Sequence, residues 1–176
     1  KFDYDVMVND LLRYLNHHGI NQCVVLGHSM GGKTAMAFAL NYPDRVQKLI
    51  IADIAPKYYA PHHQKILAGL STLNLEEVSS RKAAAEHLKN FIPEAGTRQF
   101  LLKNLYWVSE GKLGLRINVA VLKNAAEAVG AAIQSQKQYH QPTLFLYGEN
   151  SNYINPMTDT EILKYFPKAE IIEIKG

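Results

Sequence analysis

The chain has 176 residues, 47% of them hydrophobic and 20% charged, with a formal net charge of +3. That length suits one ordinary domain burying about two-thirds of its unfolded surface, and the small charge, with no Lys/Arg stripe, excludes nucleic acid as an expected partner. The single cysteine, Cys23, excludes a disulfide framework and favours a reducing, cytoplasmic setting; no apolar run approaches the roughly 18 residues of a membrane span, so no membrane partner is expected.

Residues 5–18 place Val8, Leu11, Leu12 and Leu15 at helical spacing, with Asp3 or Asp5 to cap the start and Gly19 to end it. His17 and His18 fall in the last turn, where imidazoles suit the helix dipole. Residues 23–26 are apolar on both faces, as in a parallel strand covered by helices on each side. A glycine-rich turn follows, then an Ala-rich helix over 31–41 stopped at Pro43, then a second apolar strand over 48–52 that ends in Asp53. Strand, helix and strand in this order make a right-handed βαβ unit.

Between 57 and about 141 the pattern becomes helical, with candidates at 64–70, 80–91, 98–105 and 124–133. Residues 106–119 form a small hairpin in this reading, turning at 109–112. The βα pattern then resumes with a buried strand at 142–148, a helix at 156–166 and a strand at 169–174. The domain organisation expected is a core of 1–56 with 142–176 and an inserted helical lid of 57–141.

Two motifs overlap in the glycine-rich turn. Gly27, Ser29 and Gly31 fit G-x-S-x-G, the nucleophile elbow, in which a sharp strand-to-helix turn exposes a serine hydroxyl. Gly27, Gly32, Lys33 and Thr34 fit the phosphate-binding G-x-x-x-x-G-K-T, and the strand ending in Asp53 imitates the metal-holding strand of nucleotide-binding proteins. Against the phosphate loop, His28, Ser29 and Met30 are bulky where a phosphate cradle wants small residues. The elbow reading makes Ser29 the nucleophile and the Met30 N–H half of an oxyanion hole. It requires Gly27 and Gly31 on steric grounds and leaves Lys33 structural or solvent-facing.

With those residues the chain resembles serine hydrolases of the α/β-hydrolase superfamily, in particular a small intracellular esterase branch reading GHSMGGK at the elbow. The resemblance runs through GHSMGGKTAM at 27–36, YPDRV at 42–46, IADIAP at 51–56 and LYGENSNYI at 146–154. It implies an α/β fold: an eight-stranded, mostly parallel sheet with helices on both faces and a helical cap inserted after the sixth strand. Because the chain opens on Lys1 and stops at Gly176, it is expected to be a piece of a longer protein, incomplete at both ends and inactive by itself.

The superfamily's usual acid position, in the loop after the seventh strand, holds Ser151; the alternative position, at the end of the sixth strand, holds Asp53, 24 residues after Ser29. Asp53 is therefore the expected acid, with Glu149 next and Asp159 third. The resemblance places the base after the eighth strand, so none of His28, His62, His63, His87 and His140 is assigned to it. The expected function is hydrolysis of carboxylic esters or thioesters through a Ser29 acyl-enzyme, with no cofactor and no metal. Tyr58, Tyr59, Phe91, Phe100, Tyr106 and Trp107 are the lid aromatics available to line an acyl pocket, each also readable as ordinary packing. The alternatives are a nucleotide-binding protein and a non-catalytic hydrolase-like binding protein.

Overall fold

The structure, a computed structural model, describes residues 2–61, 63–78 and 80–176. In chain order the elements are α1 (Tyr4–His17), β1 (Cys23–His28), α2 (Met30–Asn41), β2 (Val46–Ala52), α3 (Gln64–Ser71), α4 (Arg81–Lys89) and α5 (Ala95–Leu102). Then come β3 (Leu105–Ser109), β4 (Lys112–Leu115), α6 (Val119–Asn124), α7 (Ala126–Gly130), β5 (Thr143–Gly148), α8 (Glu161–Tyr165) and β6 (Ala169–Ile174). The chain divides into two compact units, Lys1–Ala60 with Glu127–Gly176 and Pro61–Ala126.

Unit 1 is built on a parallel sheet of order β1-β2-β5-β6. These are four of the eight strands that the resemblance implies. Register sets the inward face: Gly27, Ile51, Phe145 and Ile171 lie side by side, and Ile51 and Phe145 are fully buried. Helix α2 packs on β1 and β2, α1 packs on α2, and the Phe166 ring that follows α8 lies 5.6 Å from Phe145. All of this lies on that one face. The two-sided cover expected for β1 is met on a single side, because Val24 and Leu26, which alternate to the opposite face, are 51% and 65% exposed.

Local chemistry explains the element ends. Asp3 caps α1 by accepting from the Val6 N–H at 2.8 Å, and Gly19 takes the left-handed φ of +63° just beyond it. Small residues let α2 lie close on the sheet, and its buried Met36, Phe38 and Leu40 each contribute about 1.5–3 kcal/mol of burial. The helix expected over 156–166 shrinks to α8, because side chains compete for the backbone before it. Asn155 Oδ1 accepts from the Met157 N–H at 3.1 Å, and the Asp159 carboxylate accepts from the Asn155 N–H at 2.7 Å.

The observed division assigns residues 57–60 and 127–141 to unit 1. Tyr59 N–H donates to Gly130 O at 2.9 Å, Ile133 N–H to Pro56 O at 2.7 Å, and the buried Tyr139 hydroxyl to Val46 O at 3.0 Å.

Unit 2 has its own core, including Leu70, Leu73, Ala84, Leu88, Leu105 and Leu113. Its hairpin β3–β4 is antiparallel and turns at Gly111, whose φ of +72° a glycine adopts without strain. The helix expected at 98–105 starts earlier, at Ala95, just after Pro93; Arg98 Nη1 reaches back to Ile92 O and Pro93 O at 2.7 and 2.6 Å, and Leu105 is taken by the hairpin. The helix expected at 124–133 is shortened to α7, and a separate short helix, α6, precedes it and ends at Asn124.

Candidate active site

One residue separates β1 from α2. That residue, Ser29, sits at φ 52°, ψ −123°, a region L-residues avoid at a cost of about 1–3 kcal/mol. Flanking bonds hold it there: the Ser29 N–H donates to Ala52 O and the Lys33 N–H to Ser29 O, both at 3.1 Å. The Met30 N–H, at the start of α2, bonds to no group among the described residues, as expected of a donor in a helix's first turn.

The close packing behind the turn differs from the sequence expectation. A Cβ on Gly27 would meet Gly31 O and lie 2.7 Å from both Gly31 C and Gly32 Cα. A Cβ on Gly31 meets nothing within 4 Å, whereas one on Gly32 would lie 2.5 Å from Ile54 Cγ2. The steric requirement therefore falls on Gly27 and Gly32 and not, as expected, on Gly31, whose α-carbon faces open space among the described residues.

Asp53 occupies the matching place on the next strand. The register pairs His28 with Ala52, so Ser29 and Asp53 follow the C-terminal ends of neighbouring strands, where open α/β sheets carry their chemistry. Asp53 also has a left-handed φ of 54°, held by its N–H bond to Leu146 O at 2.7 Å. Its Oδ1 is buried with no hydrogen-bond partner among the described residues. The rival carboxylates are engaged elsewhere. Glu149 is exposed and accepts from the Gly176 N–H at 3.3 Å, while Asp159, 7% exposed, binds the Lys57 ammonium at 2.8 Å. Ser151 Oγ accepts from the Tyr153 N–H at 3.2 Å and holds the loop after β5. Burial first, then the Asp53 carboxylate, pushes the Tyr153 phenol above its usual range.

Lys33 is neither solvent-facing nor aimed at a phosphate. Only 1% exposed, it donates through Nζ to Lys57 O at 2.8 Å, to Gly130 O at 3.0 Å and to Ala131 O. The Tyr59 ring lies 4.8 Å from the ammonium and the Tyr4 ring 5.9 Å. Thr34 Oγ1 bonds to Met30 O at 3.2 Å, one turn back in its own helix. Both side chains that a phosphate loop needs are thus committed to the protein's interior, which removes the nucleotide-binding reading. Of the two roles left open for Lys33 the structural one holds, while sequence reasoning missed Gly32 and the partners that Lys33 and Tyr59 take. A lone charge in an otherwise apolar helix was the available signal.

Of the candidate pocket aromatics, Tyr59 is half-buried in unit 1 and Phe91 packs on the core of unit 2. Tyr58, Phe100, Tyr106 and Trp107 are exposed, with the Tyr58 hydroxyl donating to Glu127 Oε2 at 3.0 Å. His87 Nε2 lies 3.1 Å from Thr72 Oγ1; His62 falls outside the described residues. Among the described residues no group of three or more His, Cys, Asp or Glu side chains is placed to hold a metal, and no helix is long and apolar enough to cross a membrane.

A family model described as the alpha/beta hydrolase fold matches residues 1–176. The chain belongs to the α/β-hydrolase fold family. The family's sequence relatives include the mouse sn-1-specific diacylglycerol lipase ABHD11, 39% identical over 174 residues that make up 96% of this chain and 56% of the relative. Another is the esterase YbfF of Escherichia coli K12, 32% identical over 175 residues, or 99% of this chain and 66% of the relative. Among solved structures, a marine microorganism esterase superposes with a TM-score of 0.93 at 35% identity, covering 100% of this chain and 70% of the other. The chain thus spans a little over half the length of the curated lipase it matches.

Proposed function

We propose that the protein is a serine hydrolase acting on carboxylic esters or thioesters through an acyl-enzyme at Ser29. The observation that carries the reading is the pairing at the strand ends: a strained serine at a one-residue turn, beside Asp53, whose buried Oδ1 has no hydrogen-bond partner among the described residues. A buried acceptor left unbonded costs about 1–3 kcal/mol, a cost that disappears when a donor such as an imidazole N–H meets it.

Ser29 Oγ attacks the carbonyl carbon, the Met30 N–H donates to the oxyanion, and the alcohol or thiol leaves with the proton taken from the serine. Water then reverses the sequence and frees the acid. Asp53 orients the histidine base, and no histidine of residues 1–176 is assigned that role. Unit 2, inserted in sequence between β2 and β5, corresponds to the family's cap. The names of the relatives, a diacylglycerol lipase and esterases, support an acyl ester as the substrate class.

The test is a serine-directed fluorophosphonate probe on the full-length protein. Labelling is expected in the wild type and lost in Ser29→Ala. Turnover is expected to fall about 10⁴-fold in Asp53→Asn, as for the orienting acid of a triad, and to hold within about twofold in Glu149→Gln. An unlabelled wild-type protein would favour a non-catalytic, hydrolase-like binding protein.

A further inference from the structure

Lys33 is an expensive residue to bury. An ammonium loses its hydration when it leaves water, and an apolar side chain of similar length fills the same space without that penalty. No carboxylate lies within ion-pair distance of Lys33 among the described residues. Its three N–H bonds instead converge on three carbonyls from two separate passages of chain: Lys57, which follows β2, and Gly130 and Ala131, which precede β5. The passages also cross each other there. Tyr59 N–H donates to Gly130 O at 2.9 Å and Ile133 N–H to Pro56 O at 2.7 Å, and a Cβ on Gly130 would run into Tyr59 O.

The same knot reaches both ends of the candidate site. Lys33 lies one turn into the helix that Ser29 opens, and its N–H is the first to bond back to Ser29 O. On the other side, Lys57 is four residues beyond Asp53. The intervening Ile54 and Ala55 are buried, and the Ala55 N–H donates to the Tyr59 hydroxyl at 2.9 Å. That hydroxyl donates in turn to Tyr153 O, at 2.5 Å, in the loop after β5.

We propose that Lys33 is a positioning residue: its ammonium ties the chain leaving Asp53 to helix α2, so that the nucleophile turn and the acid turn are held as one rigid piece. The proposal rests on the esterase reading of Ser29 and Asp53. Arginine cannot replace lysine here, since a planar guanidinium does not converge on three carbonyls as a tetrahedral ammonium does.

The experiment compares Lys33→Met, Lys33→Arg, Tyr59→Phe and Ser29→Ala in the full-length protein with one ester substrate, and adds amide hydrogen exchange. Lys33→Met is expected to lower kcat at least about tenfold with KM within about threefold, since small misplacements of reacting groups act on the chemical step. The Tyr59 and Ile133 amides should exchange at least about tenfold faster while the Leu49 amide of the central sheet is unchanged. Lys33→Arg should show the same loss. A kcat within about twofold of wild type in Lys33→Met, or full activity in Lys33→Arg, overturns the proposal. If Lys33→Met loses Leu49 protection as well and is globally unfolded, Tyr59→Phe decides: a fall in kcat at constant KM supports the tie, and an unchanged kcat overturns it. Turnover surviving in Ser29→Ala refutes the esterase reading and the proposal together. A dead Ser29→Ala beside a normal Lys33→Met refutes the proposal alone.

Discussion

Adding one methyl group at each of three glycines around the elbow should give three different outcomes. At Gly27 the new Cβ sits 2.7 Å from Gly31 C and Gly32 Cα, where ordinary contact begins at 3.4 Å. Both neighbours are backbone, so no rotamer change relieves the overlap; β1 and α2 must separate by several tenths of an ångström along their contact. Overpacking costs about 1–3 kcal/mol, and a clash with rigid backbone puts Gly27→Ala at about 3 kcal/mol or above. For a domain of this size that lowers Tm by about 6–12 °C. Gly32→Ala meets a side-chain methyl, Ile54 Cγ2 at 2.5 Å, and should cost about 1–3 kcal/mol. Gly31→Ala meets nothing within 4 Å, lies inside α2, and should stabilise by about 0.5–1 kcal/mol through the unfolded state. Urea denaturation of the three variants of the full-length protein, with m-values compared, reads the order directly. A Gly31→Ala variant as damaged as Gly27→Ala would refute the packing argument.

Two further outcomes concern the polar groups around the site. Asp159→Ala strands the Lys57 ammonium and the Asn155 N–H, and because Lys57 is partly exposed, a loss of about 2 kcal/mol in denaturation free energy is expected. Burial lowers the Lys33 ammonium from the ordinary value of 10.5 to about 8. Between those values the unfolded chain binds the proton and the folded chain has released it, so this residue adds stability as pH rises from about 8. Denaturation of wild type against Lys33→Met across pH 7–9.5 should show the difference moving in favour of wild type, the raised phenols of Tyr4 and Tyr59 cancelling in the comparison; a flat difference would refute the assignment.

The legibility of the site followed the range of the forces involved. The turn at Ser29 was readable because its pattern is local: an apolar strand, a glycine, a serine and a helix former succeed one another within a few residues. Asp53 stood out in the sequence as a carboxylate closing an apolar strand and ranked there above Glu149 and Asp159; the structure adds that Asp159 is occupied by Lys57, 102 residues away. Gly32 was passed over for Gly31 because the motif is symmetrical about the serine while the packing is not. A helix turns about 100° per residue, so only one of the two adjacent glycines can face the strand.

Period and punctuation in the sequence by themselves determined the alternation of strand and helix, the helical insertion, the hairpin at Gly111 and the serine turn, since each depends on neighbours within one or two turns of chain. Tertiary structure decided the rest. It took Lys33 out of solvent, set it on carbonyls from residues 57, 130 and 131, and left one oxygen of Asp53 buried without a partner among the described residues. The physical reason is that the cost of burying a charge or a polar atom depends on which distant groups arrive to meet it, and their arrival is a property of the folded chain.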